Sequence, residues 1–299
     1  MRALKRIREV GIVCMLKKVK HLLFPDNDTL EIATRHGTYE YLLRYAYALK
    51  KDRTSWERKT KNKIVWTCWW QGLENAPLLV KKCIESMHQY ADGYEVIIIE
   101  KDNVLKYIEI PEYIIEKHNK GIIPHAHFVD IIRLLLLQKH GGIWIDSTIL
   151  LTDVLPAYIT DEDLFFYHSD GRGKVEMINP LIAACPGHPL IEDVLNLLLE
   201  YWRCEDRLVS YIIMPLFCTI AISLNPLDKQ LWEGVPCVYS ATLIYMLRLL
   251  SMDYNKYQFE IVKQLSPIHK LTYKFEQFGI DINKKGTFYD VLINGNKPD

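Results

Sequence analysis

The sequence lacks the glycine signatures of the common nucleotide folds. It has no G-x-G-x-x-G fingerprint and no P-loop, so neither a dinucleotide-binding turn nor a Walker-type phosphate cradle is expected. It has no excess of either charge: 37 Lys and Arg balance 37 Asp and Glu. That balance argues against nucleic acid as a partner, because binding a phosphate backbone draws on a basic excess or stripe. The seven cysteines (Cys14, Cys68, Cys83, Cys185, Cys204, Cys218 and Cys237) are scattered, odd in number and without a C-x-x-C pair. Neither a disulfide framework nor a zinc site follows, and a reducing, cytoplasmic setting is expected. Long apolar runs are also missing. The nearest, residues 208–224, is interrupted by Ser210, Pro215 and Thr219, and a membrane-spanning helix needs roughly 18 apolar residues. Residues 1–24 hold no unbroken apolar core, so no secretory signal is expected.

What is present is the composition of a folded protein, 49 % hydrophobic and 25 % charged. The polar stretch 51–63 divides a basic, helical extension over 1–60 from a main domain over 61–299. Residues 1–24 carry seven Lys or Arg against one Glu, a net +6, interleaved with nine Leu, Ile or Val residues. Two readings of this segment stand: a helix lying on an anionic membrane surface, or a solvated or domain-packed helix. Residues 30–50 read as a tyrosine-rich helix.

The main domain opens with the run from Lys63 to Gly72, apolar, β-favouring and closed by glycine. A helix from Pro77 to about Tyr90, a buried strand over 94–99 and a helix over 111–120 follow. This alternation, carried on by a further helix and strand, predicts an α/β fold with a mostly parallel central sheet and added helices. Farther along, 164–167 reads as a strand. The glycine-rich loop 168–173 suits either an acceptor pocket or an exposed hairpin. Helices are expected over 189–202, over 211–224 with a kink at Pro215, and over 240–250 with Ser240 as cap. Trp66, Trp69 and Trp70 form an aromatic cluster at the first strand. Such a face can stack on a nucleobase or pack in the core, and core packing suits Trp66 better than Trp70.

The central stretch runs from Ala126 to Thr148. Asp130 and Arg133 are three apart and share one helical face. Four leucines follow, too apolar for a surface helix. Gly141-Gly142 ends the helix, Ile143-Trp144-Ile145 reads as a short buried strand, and Asp146 stands at its carboxyl end, where open α/β sheets bind ligands. An alternative is a structural Asp–Arg ion pair beside an Asp that begins a turn.

The ordered pattern of D-x-x-R helix, glycine pair, aromatic-bearing strand and D-x-T resembles the sugar-nucleotide site of glycosyltransferase family 32, most of all its bacterial capsular polysaccharide synthesis proteins. The resemblance covers residues 63–274. It implies a GT-A-like, Rossmann-type nucleotide-sugar-binding fold and sugar transfer with retention of configuration. The donor would be a UDP- or GDP-sugar, and the acceptor a glycan or lipid-linked oligosaccharide. Asp130 and Arg133 would be the donor-sugar pair. Trp70, in a segment similar to the family's W-x-G, would pack on the base, with Trp144 beside it. His269 and Lys270, in a similar H-K-L segment, would reach the phosphates. Asp146 and Thr148 would hold a divalent metal, Mn2+ or Mg2+, for which oxygen ligands suit. The sequence departs from the wider family here, since Thr148 stands where a second acidic residue is usual. An inactive relative that binds a nucleotide sugar or glycan is therefore the alternative, and a different nucleotide-handling α/β enzyme is a third reading.

Overall fold

The computed structural model describes residues 28–169 and 174–297. The basic segment 1–24 and residues 170–173 of the glycine-rich loop, each given a role above, lie outside the described residues. The chain enters through α1 (Asp28–Leu42) and a 3-10 turn, Leu43–Ala48. Leu42, Tyr45 and Leu49 pack into one hydrophobic cluster with Tyr201, Phe217 and the central helix.

Seven strands follow among the described residues: β1 (Ile64–Cys68), β2 (Glu95–Ile99), β3 (Gly142–Ile145), β4 (Ile149–Leu151), β5 (Leu164–His168), β6 (Met177–Ala184) and β7 (Ile268–Lys270). Five form a mixed sheet in the order β2-β1-β3-β6-β5. β1 runs parallel to β2 and β3, and β6 runs antiparallel to both of its neighbours. Four of the five strands thus share one direction, the mostly parallel α/β sheet that the alternation predicts. β4 and β7 pair apart from it as a two-stranded antiparallel ribbon.

Side chains alternate across the sheet and build two cores. Trp66, Trp144, Phe166 and Ile182 face one cluster, and Val65, Ile143, Ile145 and Phe165 face the other. The first face is covered by α3 (Glu112–Asn119), α4 (His125–His140), α5 (Pro189–Cys204) and α6 (Ile213–Leu224). The second is covered in part by α2 (Leu78–Tyr90). α4 is buried along most of its length, from His127 to Leu137, as its leucine run requires.

The turn from α4 into β3 is sterically exacting. Gly142 has φ +102°, and a Cβ there would meet the Ile64 carbonyl oxygen at 2.6 Å and Trp66 Nε1 at 3.2 Å. Only glycine gives the backbone this angle and this approach to β1.

Three local expectations change, and one strand is new. β2 is a half-buried edge strand rather than a buried one, with only Ile99 fully covered. β6 was not anticipated, because Pro180 interrupts its apolar run. It is tolerated by a register shift opposite Phe166 and Tyr167, a place where a strand accepts proline. Pro215 falls in the first turn of α6 rather than mid-helix, where its missing N–H costs no intrahelical bond. Ser240 begins a 3-10 turn, with Tyr239 as its flanking residue and no side-chain cap.

Candidate active site

The carboxyl ends of β1, β2 and β3 lie side by side, because these strands are parallel neighbours. Trp69 and Trp70 leave β1, and Asp146 leaves β3. A cleft of about 740 Å³ opens there, walled by Trp69, Trp70, His125, Tyr211 and Tyr273. Asp130, Arg133, Trp144, Asp146, Thr148, Asn179 and Lys270 form its polar part. A second depression, of about 660 Å³, lies at the amino ends of β1 and β2 beside Lys63 and Tyr94. Open α/β sheets bind ligands at the carboxyl ends, so the first cleft is the candidate site.

The site is a closed network of four charges. Arg133 Nη2 lies 3.2 Å from Asp130 Oδ1 and 3.2 Å from Asp146 Oδ1. Its Nη1 donates to the Asn179 carbonyl, and its guanidinium carbon sits 4.9 Å over the Trp144 ring. Trp144 Nε1 donates to Asp146 Oδ1 at 2.9 Å, a bond possible because alternate strand residues share a face. Lys270 Nζ donates to Asp146 Oδ2 at 2.6 Å and to Thr148 Oγ1 at 2.8 Å. Asn179 Nδ2 donates to Asp130 Oδ1 at 2.9 Å. Two carboxylates, one guanidinium and one ammonium sum to zero, which is how buried charges are tolerated.

The two carboxylates differ electrostatically. Burial pushes the Asp130 pKa up to about 6, with Arg133 opposing and Asp146 reinforcing the rise. Burial also acts to raise Asp146. There the Lys270 ammonium, the Arg133 guanidinium and the hydrogen bonds from Lys270 and Trp144 outweigh it, and its pKa falls below the usual carboxylate value. Asp130 is therefore the group of the pair that titrates near neutrality.

Six of the sequence-based candidates meet: Asp130, Arg133, Trp144, Asp146, Thr148 and Lys270. Trp70 lines the same cleft, its ring edge-on to Phe128 at 5.1 Å between centroids. Trp66 is core, its Nε1 donating to the Gly141 carbonyl at 2.8 Å. His269 does not join the site. Next to Lys270 on β7, it points to the opposite side, is fully buried, and lies with Nε2 3.0 Å from Thr152 Oγ1. Burial lowers its pKa to about 4, so it is neutral at pH 7 and supplies no charge to a phosphate.

The Asp146 and Thr148 pair does not fit a divalent metal. Asp146 Oδ1 accepts from Trp144 and pairs with Arg133, Oδ2 accepts from Lys270, and Thr148 Oγ1 accepts from Lys270. No cluster of three or more His, Cys, Asp or Glu able to hold a metal occurs among the described residues. Residues that sequence reasoning missed are Asn179, which orients both Asp130 and Arg133, and Tyr211 and Tyr273 on the cleft wall. Asn179 was hidden with its strand, and lone tyrosines carry no spacing signal.

A family model described as "Capsular polysaccharide synthesis protein" matches residues 37–292 of this chain. Among curated proteins, the O-glycosyltransferase braB of Annulohypoxylon truncatum is 26 % identical over 214 residues, 65 % of this chain. The chain spans about half of that relative, 51 % of its length. A solved structure, the PaToxG glycosyltransferase, overlaps 89 % of this chain and 94 % of its own at 15 % identity, with a TM-score of 0.42 too low to carry an argument. No helix among the described residues is long and apolar enough to cross a membrane.

Proposed function

This chain belongs to the capsular polysaccharide synthesis protein family, and we propose that its cleft transfers a sugar from a UDP- or GDP-sugar to a growing surface glycan or its lipid-linked precursor. The observation that carries the reading is the neutral Asp130–Arg133–Asp146–Lys270 network at the carboxyl ends of the parallel strands, set in an aromatic-walled cleft. On this reading the domain is GT-A-like and the anomeric configuration is retained.

Transfer breaks the C1–O bond, and the bonding electrons leave with the diphosphate. Lys270 is the more exposed of the two cations in the network, at 30 % against 7 % for Arg133. It is placed to meet that negative charge. Asp130 Oδ1 is taken by Asn179 and Arg133, whereas Oδ2 has only the neutral His127 ring at 3.6 Å. Oδ2 is the acceptor for a hydroxyl of the donor sugar. Arg133 pairs with both carboxylates through Nη2 while Nη1 is anchored on the Asn179 carbonyl, a two-nitrogen arrangement that a lysine cannot reproduce. Trp70 stacks on the base. No side chain is assigned as general base: the acceptor's oxygen bonds to C1, and its proton passes to the leaving phosphate. The segment 1–24 would hold the protein near an anionic membrane, where a lipid-linked acceptor lies.

The second reading, a binding protein without turnover, is favoured by Lys270 bonding to the two oxygens where a metal was expected. Intrinsic fluorescence tests the binding half of both. Titration with UDP and GDP should quench emission. Trp70→Ala should weaken binding by about 1–3 kcal/mol, the worth of one base–aromatic stack. Unchanged affinity in that variant would remove Trp70 from the site.

A further inference from the structure

We propose that the Lys270 ammonium does the work of a divalent metal in this cleft, so that a nucleoside diphosphate binds without one. The inference rests on reading the cleft as a nucleoside-diphosphate-sugar site and goes on to say how the diphosphate is held.

The first argument is occupancy. The oxygens that a D-x-T motif offers to a cation, Asp146 Oδ2 and Thr148 Oγ1, lie 2.6 and 2.8 Å from Lys270 Nζ. A metal at the same point would have to displace the ammonium. It would then sit beside Arg133 Nη2, itself 3.2 Å from Asp146 Oδ1.

The second is charge. A site with two acidic residues and a divalent cation sums to zero. Here one carboxylate, one hydroxyl and one ammonium also sum to zero. With a hydroxyl at Thr148, the one ammonium balances the one carboxylate, and Thr148 is no longer a defect.

The third is that the backbone fixes the lysine there. β4 and β7 pair with Ile149 opposite Lys270, and the Leu271 N–H donates to the Thr148 carbonyl at 2.8 Å. Lys270 therefore does not reach the motif by a chance rotamer of a long side chain. Its ammonium has three N–H donors. Two are spent on Asp146 and Thr148, and the third is free for a phosphate oxygen in the cleft.

The test is calorimetric titration of the full-length protein with UDP and with GDP, in EDTA and in Mn2+. The expected result is one affinity under both conditions, agreeing within about threefold. Lys270→Met should weaken binding about 10- to 100-fold, the worth of one charge-assisted hydrogen bond. Thermal melts of that variant check that it folds. As a second arm, Lys270→Met combined with Thr148→Asp restores a two-acid site and should bind only when Mn2+ is present. Wild-type binding that vanishes in EDTA and returns with Mn2+ would overturn the proposal. So would unchanged affinity in folded Lys270→Met. Absence of binding by either nucleotide in both conditions would overturn the nucleotide reading of the cleft itself, and the inference with it.

Discussion

Arg133 is the keystone of the network, and replacing it by methionine gives a prediction that depends on geometry alone. Arg133→Met keeps most of the side chain's volume and removes its charge. Asp146 would keep Lys270, but Asp130 would keep no cation, only Asn179 and a neutral histidine. Breaking a buried ion pair from one side costs about 3–5 kcal/mol. At about 2 °C per kcal/mol for a chain of this size, the melting temperature should fall by about 6–10 °C. Asp130→Asn alone should cost less, about 1.5–3 kcal/mol, the loss of one charged hydrogen-bonding group. The double variant leaves no unpaired charge. Its cost should fall short of the summed single costs by about 1–3 kcal/mol, measured as a thermal or denaturant double-mutant cycle at pH 7.5. Repeated near pH 5, below the Asp130 pKa of about 6, the coupling should shrink because the carboxyl is then neutral without help. Additive effects within about 0.5 kcal/mol at pH 7.5 would refute the compensation argument.

Donor turnover should fall about tenfold per pH unit below about 6, because Asp130 must be ionised to accept from the sugar; a flat profile to pH 4.5 in folded protein would remove Asp130 from that role. Asp228 is fully buried, and burial together with the neighbouring Asp193 carboxylate raises its pKa from 3.8 to about 8. A raised folded-state pKa contributes stability that is complete below about pH 4 and is lost as pH rises towards 8, so Asp228→Asn should flatten the decline in melting temperature between pH 5 and pH 8. Gly142→Ala forces a side chain to φ +102° and against the Ile64 carbonyl, and should cost about 1–3 kcal/mol or more in a denaturant titration; a neutral result would contradict the close approach of β3 to β1.

Periodicity carried the parallel half of the fold. β1, β2, β3 and the helices between them are long or strongly patterned, and Gly141-Gly142 marks the end of α4 in the sequence itself. The antiparallel half was harder to read. β6 carries a proline within an apolar run, and only its register shift against β5 explains why it remains a strand. Within the site, Asp130, Arg133 and Asp146 were legible because they lie within 17 residues of one another, inside a single helix–turn–strand unit. Lys270 was named only through its H-K-L resemblance and Asn179 not at all, because they reach the same point from 124 and 33 residues beyond Asp146. Long-range pairing, β3 with β6 and β4 with β7, brings them there. The direction of His269 also depends on that pairing: strand alternation sends it away from the cleft while its neighbour Lys270 enters.

On the proposed function this cleft transfers a sugar from a nucleotide donor. The most direct measurement is nucleoside diphosphate release from a panel of UDP- and GDP-sugars, with the wild type and Asp146→Asn side by side. Release from one donor, lost in a folded Asp146→Asn protein, is the predicted result. Stabilisation by one of these donors without release, and without transfer to any oligosaccharide acceptor supplied, would contradict transfer and leave a binding protein. Release that persists unchanged in Asp146→Asn would contradict the site.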